Sequence, residues 1–268
     1  MSFEYWYMLP IAICVTTTAS ASGFSGGVLF QPIYNIFLNA PMVYAVATGV
    51  ATETIGMTSG AARYLYYKMI DLPIAFTIIM LTIPGIILGS HALSIINDSL
   101  LKFALGFIVL SIATVQLISA VQNTLGTRES VPIEDIYPYM PYPTIAGFFS
   151  ATTGTGIAEM AQPLLEKNLK LKTKKANATA IFANAVGDWI ITILNIQAGF
   201  ISWEIWIFAG TGAFIGGQIG PYISRYLPDR LLKVIFSICI IIIGTFYIIQ
   251  GIEWMTGKTI ISGLFRNT

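Results

Sequence analysis

Three carboxyl groups, Glu53, Glu159 and Asp188, lie inside long apolar stretches of this 268-residue chain that hold no Lys or Arg. Carboxyl groups at membrane depth are costly and as a rule carry protons or hold a polar ligand. The competing role is structural, a protonated acid hydrogen-bonded to a neighbouring helix. Two glycine clusters accompany these acids, Gly23-Phe24-Ser25-Gly26-Gly27 and Gly154-Thr155-Gly156, each followed by a Gln-Pro pair, Gln31-Pro32 and Gln162-Pro163. A glycine cluster in an apolar segment frees backbone N–H groups, and a helix that restarts there offers unpaired donors and a partial positive charge to an anion. The alternative use of such glycines is close helix packing. Further polar side chains, Asn177, Asn184, Asp188 and Asn195, spaced 7, 4 and 7 residues apart, share one helix face. With no mid-membrane cation, anion coordination would rest on dipoles, amides and hydroxyls. The candidate ligand-binding residues are therefore Ser25, Gly26, Gly27, Gln31 and Thr48, with Thr155, Gly156, Gln162, Thr179 and Asn184. Glu53, Glu159 and Asp188 are the candidates for proton or ion coupling.

The elements that must position these groups follow from composition. The chain is 55% hydrophobic and 10% charged, with a mean hydropathy of +0.74, against about 25% charged residues in soluble domains. Its charges cluster, leaving apolar runs at 5–22, 43–62, 72–93, 100–120, 142–166, 176–197, 203–224 and 231–252. Each approaches the roughly 20 residues that an α-helix needs to cross a bilayer. The expected class is an all-α, polytopic integral membrane protein embedded in the lipid bilayer.

The chain also matches itself without gaps at an offset of 131 residues, from Gly23 to Lys102. Gly23 pairs with Gly154, Gln31-Pro32 with Gln162-Pro163, Thr48 with Thr179, Gly56 with Gly187, Gly85 and Gly89 with Gly216 and Gly220, and Asp98 with Asp229. This divides the chain into a repeat at 1–120, a polar linker at 121–138, a second repeat at 139–257 and a C-terminal tail at 258–268. Each repeat consists of a broken, glycine-containing helix followed by three transmembrane helices. If the broken segment crosses once, the repeats are parallel, and Lys and Arg divide five against nine between the two faces. If it turns back at the glycines, the repeats are inverted and the division becomes three (Lys102, Lys258, Arg266) against eleven. The positive-inside rule prefers inversion.

Other features are less specific. Lys167, Lys170, Lys172, Lys174 and Lys175 read as an anchor on anionic lipid, and His91 as an interfacial packing residue. Cys14 and Cys239 read as small buried side chains. The scattered basic residues lack the aromatic interleaving of a nucleic-acid surface. A single histidine, with no His-Glu-x-x-His, no Walker A and no Rossmann glycine pattern, points to no metal or other cofactor and to no enzyme.

In their order and duplication, Gly23-Phe24-Ser25-Gly26-Gly27 leading to Pro32, Ala45-Val46-Ala47-Thr48, the Gly85 and Gly89 spacing, and Asp98-x-Leu100-Leu101-Lys102 resemble the TauE/SafE family of sulfite and organosulfonate exporters. The likeness runs over roughly residues 8–252. It implies secondary export of a small sulfur-containing anion, coupled to a proton or sodium gradient. The second copy departs from the family's glycine-rich motif, carrying Ile157-Ala158-Glu159 where further glycines are expected. A cation or neutral-solute transporter built on the three acids, and a passive anion channel, are the alternatives.

Overall fold

Glycine punctuates the first helix where the sequence predicts a break. In the computed structural model, which describes residues 3–122 and 126–256, α1 (Met8–Ser22) ends at Gly23, whose φ of +84° is left-handed and whose N–H closes on the Ala19 carbonyl. A left-handed residue at a helix end favours glycine, which has no Cβ to clash. The chain then runs through Phe24–Gly26 into a short helix α2 (Gly27–Pro32) and a π-helical turn, Ile33–Phe37. Pro32 contributes no N–H to the helical ladder, and the ladder changes register there. Three long helices follow: α3 (Met42–Tyr66), α4 (Leu72–Ile95) and α5 (Asp98–Gln122).

The rest of the chain has the same order. It comprises α6 (Pro141–Thr153), α7 (Ile157–Pro163), a π turn Leu164–Asn168, α8 (Thr173–Gln197), α9 (Trp203–Ser224) and α10 (Asp229–Thr256). The two π turns and the α3 and α8 bounds recur at the 131-residue offset. So do the left-handed positions Gly23 and Gly154, Asn39 and Lys170, and Lys68 and Gly199. The apolar run 142–166, expected as one span, is divided by this break into α6 and α7. The linker holds a 3-10 turn, Ile133–Tyr139, and is pinned by a bridge between Arg128 and Leu171. The 258–268 tail, with Lys258 and Arg266, lies outside the described residues.

Helix directions follow from which residues meet. A Cβ on Gly216 would come within 2.6 Å of the Ile13 carbonyl oxygen, and one on Gly220 within 2.8 Å of that of Thr17; Gly212 is similarly placed against Leu9. Residue numbers rise together, so α1 and α9 are parallel and touch backbone to backbone. Gly56 beside Ala213 and Gly60 beside Gly217 make α3 parallel to α9 as well. Helices α1 and α3 thus run the same way, and the intervening segment returns: Gly27 meets Glu53, and Gln31 meets Gly49, numbers falling along α3 as they rise along α2. Gly85 and Gly89 give α4 the same intimate contact with the α6 backbone at Thr144 and Phe148. For these glycines close packing is the observed role.

Thr48, near the start of α3, accepts the N–H of Ser202, just past the end of α8, at 2.9 Å. Thr179, near the start of α8, accepts the N–H of Asp71, just past the end of α3, at 3.0 Å. These register-matched helices are therefore antiparallel neighbours.

The exterior is apolar and the interior is not. Met80, Leu88, Phe107, Phe214 and Ile242 are all more than half exposed, whereas Glu53, Glu159, Asn184 and Asp188 are each at most 2% exposed. A soluble fold has the opposite bias. Among the described residues, Leu72–Ile95, Asp98–Val115 and Thr173–Gln197 are long and apolar enough to cross a membrane, and Met8–Ser22 and Ile240–Glu253 are shorter apolar helices. Cys14 corrects the sequence reading: it is exposed on the outer face of α1, an apolar surface where a small thiol is at home in lipid. The Cys239 side chain lies outside the described set.

Candidate functional site

The two glycine breaks meet at mid-height of α3 and α8. Glu53 is the twelfth of the 25 residues of α3, and Asn184 the twelfth of the 25 of α8. Each side chain reaches the start of its own short helix. Glu53 Oε2 accepts the Gly27 N–H at 2.7 Å, and Asn184 Oδ1 accepts the Ala158 N–H at 3.2 Å. These bonds also match at the 131-residue offset, a carboxylate in one copy standing where the other has an amide. Asn184 Nδ2 then donates to Glu53 Oε1 at 2.8 Å and to Asp188 Oδ2 at 2.6 Å, linking α3 to α8.

Glu159 joins the two breaks. Its Oε1 accepts the Ser25 N–H at 2.7 Å, and its Oε2 reaches back to the Gly156 N–H at 3.1 Å. The Ser25 hydroxyl donates to Glu53 Oε2 at 2.7 Å and also lies 3.4 Å from the Gly154 carbonyl oxygen. Gly27 has no room for a side chain, since its Cβ would lie 2.6 Å from Glu53 Oε2 and against the Gly154 carbonyl. Gly26 caps α2, its carbonyl accepting from Leu29 and Phe30. The donors that the sequence offered to an anion thus face carboxylates of the chain itself.

Beside this network two polar groups are buried without a hydrogen-bond partner. Both the Nε2 and Oε1 of Gln31, which is fully buried, are unpartnered, and so is the Thr155 hydroxyl. The Gln31 amide lies against Gly154, where any Cβ would collide with it. A buried amide without partners costs free energy on the order of 1–3 kcal/mol, and a polar ligand between the breaks would recover it. An apolar cleft of about 360 Å³ between α5, α6 and α7 leads inward, walled by Phe107, Ile112, Phe149 and Met160, and reaches Gly156 and Glu159.

Three expected site residues do other work. Thr48 and Thr179 fix the loops ahead of α9 and α4 through the bonds to Ser202 and Asp71 and lie away from the breaks. Gln162 donates to Glu166 at 3.1 Å, and Glu166 accepts the Thr173 hydroxyl at 2.7 Å, so this amide ties the π turn to α8. The acid that makes the difference is Glu166, for which the first copy has Asn35. Ser25, Gly26, Gly27, Gln31, Thr155, Gly156, Asn184 and the three acids are brought together. The backbone N–H groups of Ser25 and Ala158 belong with them; the 131-residue match of Ala158 to Gly27 was the available signal. Among the described residues no cluster of His, Cys, Asp and Glu forms a metal site.

The apolar exterior, buried polar centre and broken helices are the build of a membrane transporter. The chain belongs to the family described as sulfite exporter TauE/SafE, matching it over residues 8–247. It is similar to "Probable membrane transporter protein YunE" of Bacillus subtilis (strain 168), with 20% identity over 266 residues covering 91% of this chain and 97% of that one. It is likewise similar to "Probable membrane transporter protein ORF9" of Sinorhizobium sp, 20% identical over 244 residues, 90% of each chain. No solved structure matches.

Proposed function

We propose that this protein is a multi-pass secondary transporter of the cell membrane, exporting a small sulfur-containing anion such as sulfite or an organosulfonate under a proton or sodium gradient. The observation that carries the reading is the fully buried, unpartnered Gln31 amide against Gly154, in the break that also holds the unpartnered Thr155 hydroxyl and where N–H donors of both breaks converge on Glu159. Family membership supports the substrate class.

The anion sits between the breaks, taking hydrogen bonds from the Gln31 amide, the Thr155 hydroxyl and the N–H groups of Ser25 and Gly156. Two inverted repeats fit this reading. Antiparallel α3 and α8, and the common direction of α1 and α3, are what a segment turning back at Gly23–Gly27 requires, and a parallel duplication would make α3 and α8 parallel. Alternating access then arises from relative movement of the two repeats about the central site.

The test is flux in proteoliposomes loaded with sulfite, methanesulfonate or thiosulfate. Release that depends on the protein and on a proton or sodium gradient is expected, with Gln31→Ala reducing it at least about tenfold, the scale of losing one or two buried hydrogen bonds. Release that ignores both gradients would identify a channel. Movement of a cation with none of the anions would overturn the reading.

A further inference from the structure

We infer that the Glu159 carboxylate is a resident stand-in for the transported anion, so that each monoanion can bind only as Glu159 takes up one proton. The inference rests on the function proposed above and adds its coupling mechanism.

Glu159 holds one N–H from each break, Ser25 at 2.7 Å and Gly156 at 3.1 Å. These donors lie next to the unpartnered Thr155 hydroxyl, and beside Gly154 with its unpartnered Gln31 amide. An external anion needs the same two N–H groups and cannot share them with a carboxylate, because like charges in contact in a buried site repel strongly. Glu159 must leave, and the structure provides a place for it. The cleft reaching Glu159 is walled by Phe107, Ile112, Phe149 and Met160. A neutral carboxylic acid is tolerated against such walls, whereas a carboxylate is not. Protonation therefore both releases the N–H donors and allows the side chain to move.

The charge balance is simple. With the charges on Glu53 and Asp188 the same in both forms, the empty site adds one negative charge, on Glu159. The loaded site holds the monoanion and a neutral acid, again one negative charge. One proton and one monoanion leave together, so export runs where the product of their concentrations is higher inside than outside, and the site carries the same net charge in both forms. This avoids the cost of adding a second negative charge to a low-dielectric site. The other titratable groups facing this centre are Glu53 from α3, Asp188 from α8 and Tyr142 from α6. Among the described residues no Lys or Arg contacts it.

The experiment uses the intact protein in detergent and in liposomes, with methanesulfonate as the probe because, unlike sulfite, it does not titrate near neutral pH. Binding to wild type should weaken about tenfold per pH unit once Glu159 is ionised, as one-proton linkage requires. A pH indicator should report one proton taken up per anion bound. Flux should be insensitive to an imposed membrane potential. Glu159→Gln should remove both the pH slope and the proton uptake while still binding the probe. Glu53→Gln and Asp188→Asn should each leave the one-proton uptake in place. A slope or proton uptake that persists in Glu159→Gln and vanishes in Glu53→Gln or Asp188→Asn overturns the assignment to Glu159. Wild-type binding without proton uptake overturns the coupling itself and needs no variant to fold. If wild type binds and carries neither methanesulfonate nor sulfite, the proposed function has failed, which separates that failure from this one.

Discussion

Glu53 and Asn184 occupy the same place in two stretches of chain 131 residues apart, and their side chains are hydrogen-bonded to each other at 2.8 Å. Each also caps a short helix, at Gly27 and Ala158. A pair of this kind is asymmetric by necessity: two carboxylates would repel, and two asparagines would offer Gly27 a weaker acceptor. Glu53→Ala strands one Asn184 donor and leaves the Gly27 N–H only the longer bond to the Ser25 hydroxyl, at 3.2 Å. It should destabilise the protein by about 1–3 kcal/mol, seen as a lower midpoint of thermal unfolding in detergent. Combined with Asn184→Ala, the losses should be less than additive, because both remove the same bond.

The glycines divide by what surrounds them. Gly27→Ala places a methyl group against the Gly154 carbonyl and 2.6 Å from Glu53 Oε2; both are backbone-anchored or buried, so neither can yield. Loss of folded protein on size-exclusion chromatography is expected. Gly199 has a left-handed φ of +74° with nothing within 4 Å of a Cβ, and its counterpart Lys68 already adopts a φ of 55°. Gly199→Asn should therefore cost no more than about 1 kcal/mol and leave flux unchanged.

Part of this architecture was legible in the sequence because membrane helices announce themselves by length and hydropathy, and because the 131-residue match sets the glycines of two stretches in register. Gly23 and Gly154 are the clearest case, since both the offset and the need for a left-handed residue point to the same turn. Thr48 and Thr179 show the limit. Their duplication marked them as important, but a hydroxyl that caps a loop and one that binds a ligand look alike until the bond to Ser202 or Asp71 is seen. Gln31 and Gln162 show another, since the difference between an unpartnered amide and an engaged one lies in whether Asn35 or Glu166 stands four residues on. The crossing of Glu159 to Ser25 depends on how the two halves dock, which spacing within either half does not encode.

Inversion has a direct test at matched positions. Lys68 follows α3, and Ala198, next to the residue that matches it, follows α8. In inverted repeats the two lie on opposite membrane faces, and in parallel repeats on the same one. In a background with Cys14 and Cys239 replaced by Ser, Lys68→Cys and Lys170→Cys should react with a membrane-impermeant maleimide only from the inside, where the positive-inside rule puts them. Ala198→Cys should react only from the outside. Labelling of Lys68→Cys and Ala198→Cys from one common side would exclude inversion.

The linker supplies a pH-dependent contact outside the membrane. Glu129 pairs with Lys172 and, at 3.1 Å, with Lys175, and these hydrogen bonds hold its carboxyl below the ordinary value. A depressed folded value means that the contact contributes fully above the carboxyl's unfolded range and is lost as pH falls through the folded one. The pair is exposed, so salt should screen it. Glu129→Gln should accordingly speed tryptic cleavage after Arg128 several-fold at neutral pH and low salt. Wild type should approach the variant in high salt, where exposed ion pairs are screened, and, with an acid-active protease, at a pH low enough to protonate Glu129. The backbone bonds from Arg128 to Lys170 and from Lys172 to Arg128 do not depend on this charge. Cleavage should therefore remain slower than in an unfolded chain, and flux should be unaffected, because Glu129 is remote from the central site. Equal cleavage of wild type and Glu129→Gln at low salt would show that the backbone bonds alone hold the linker down.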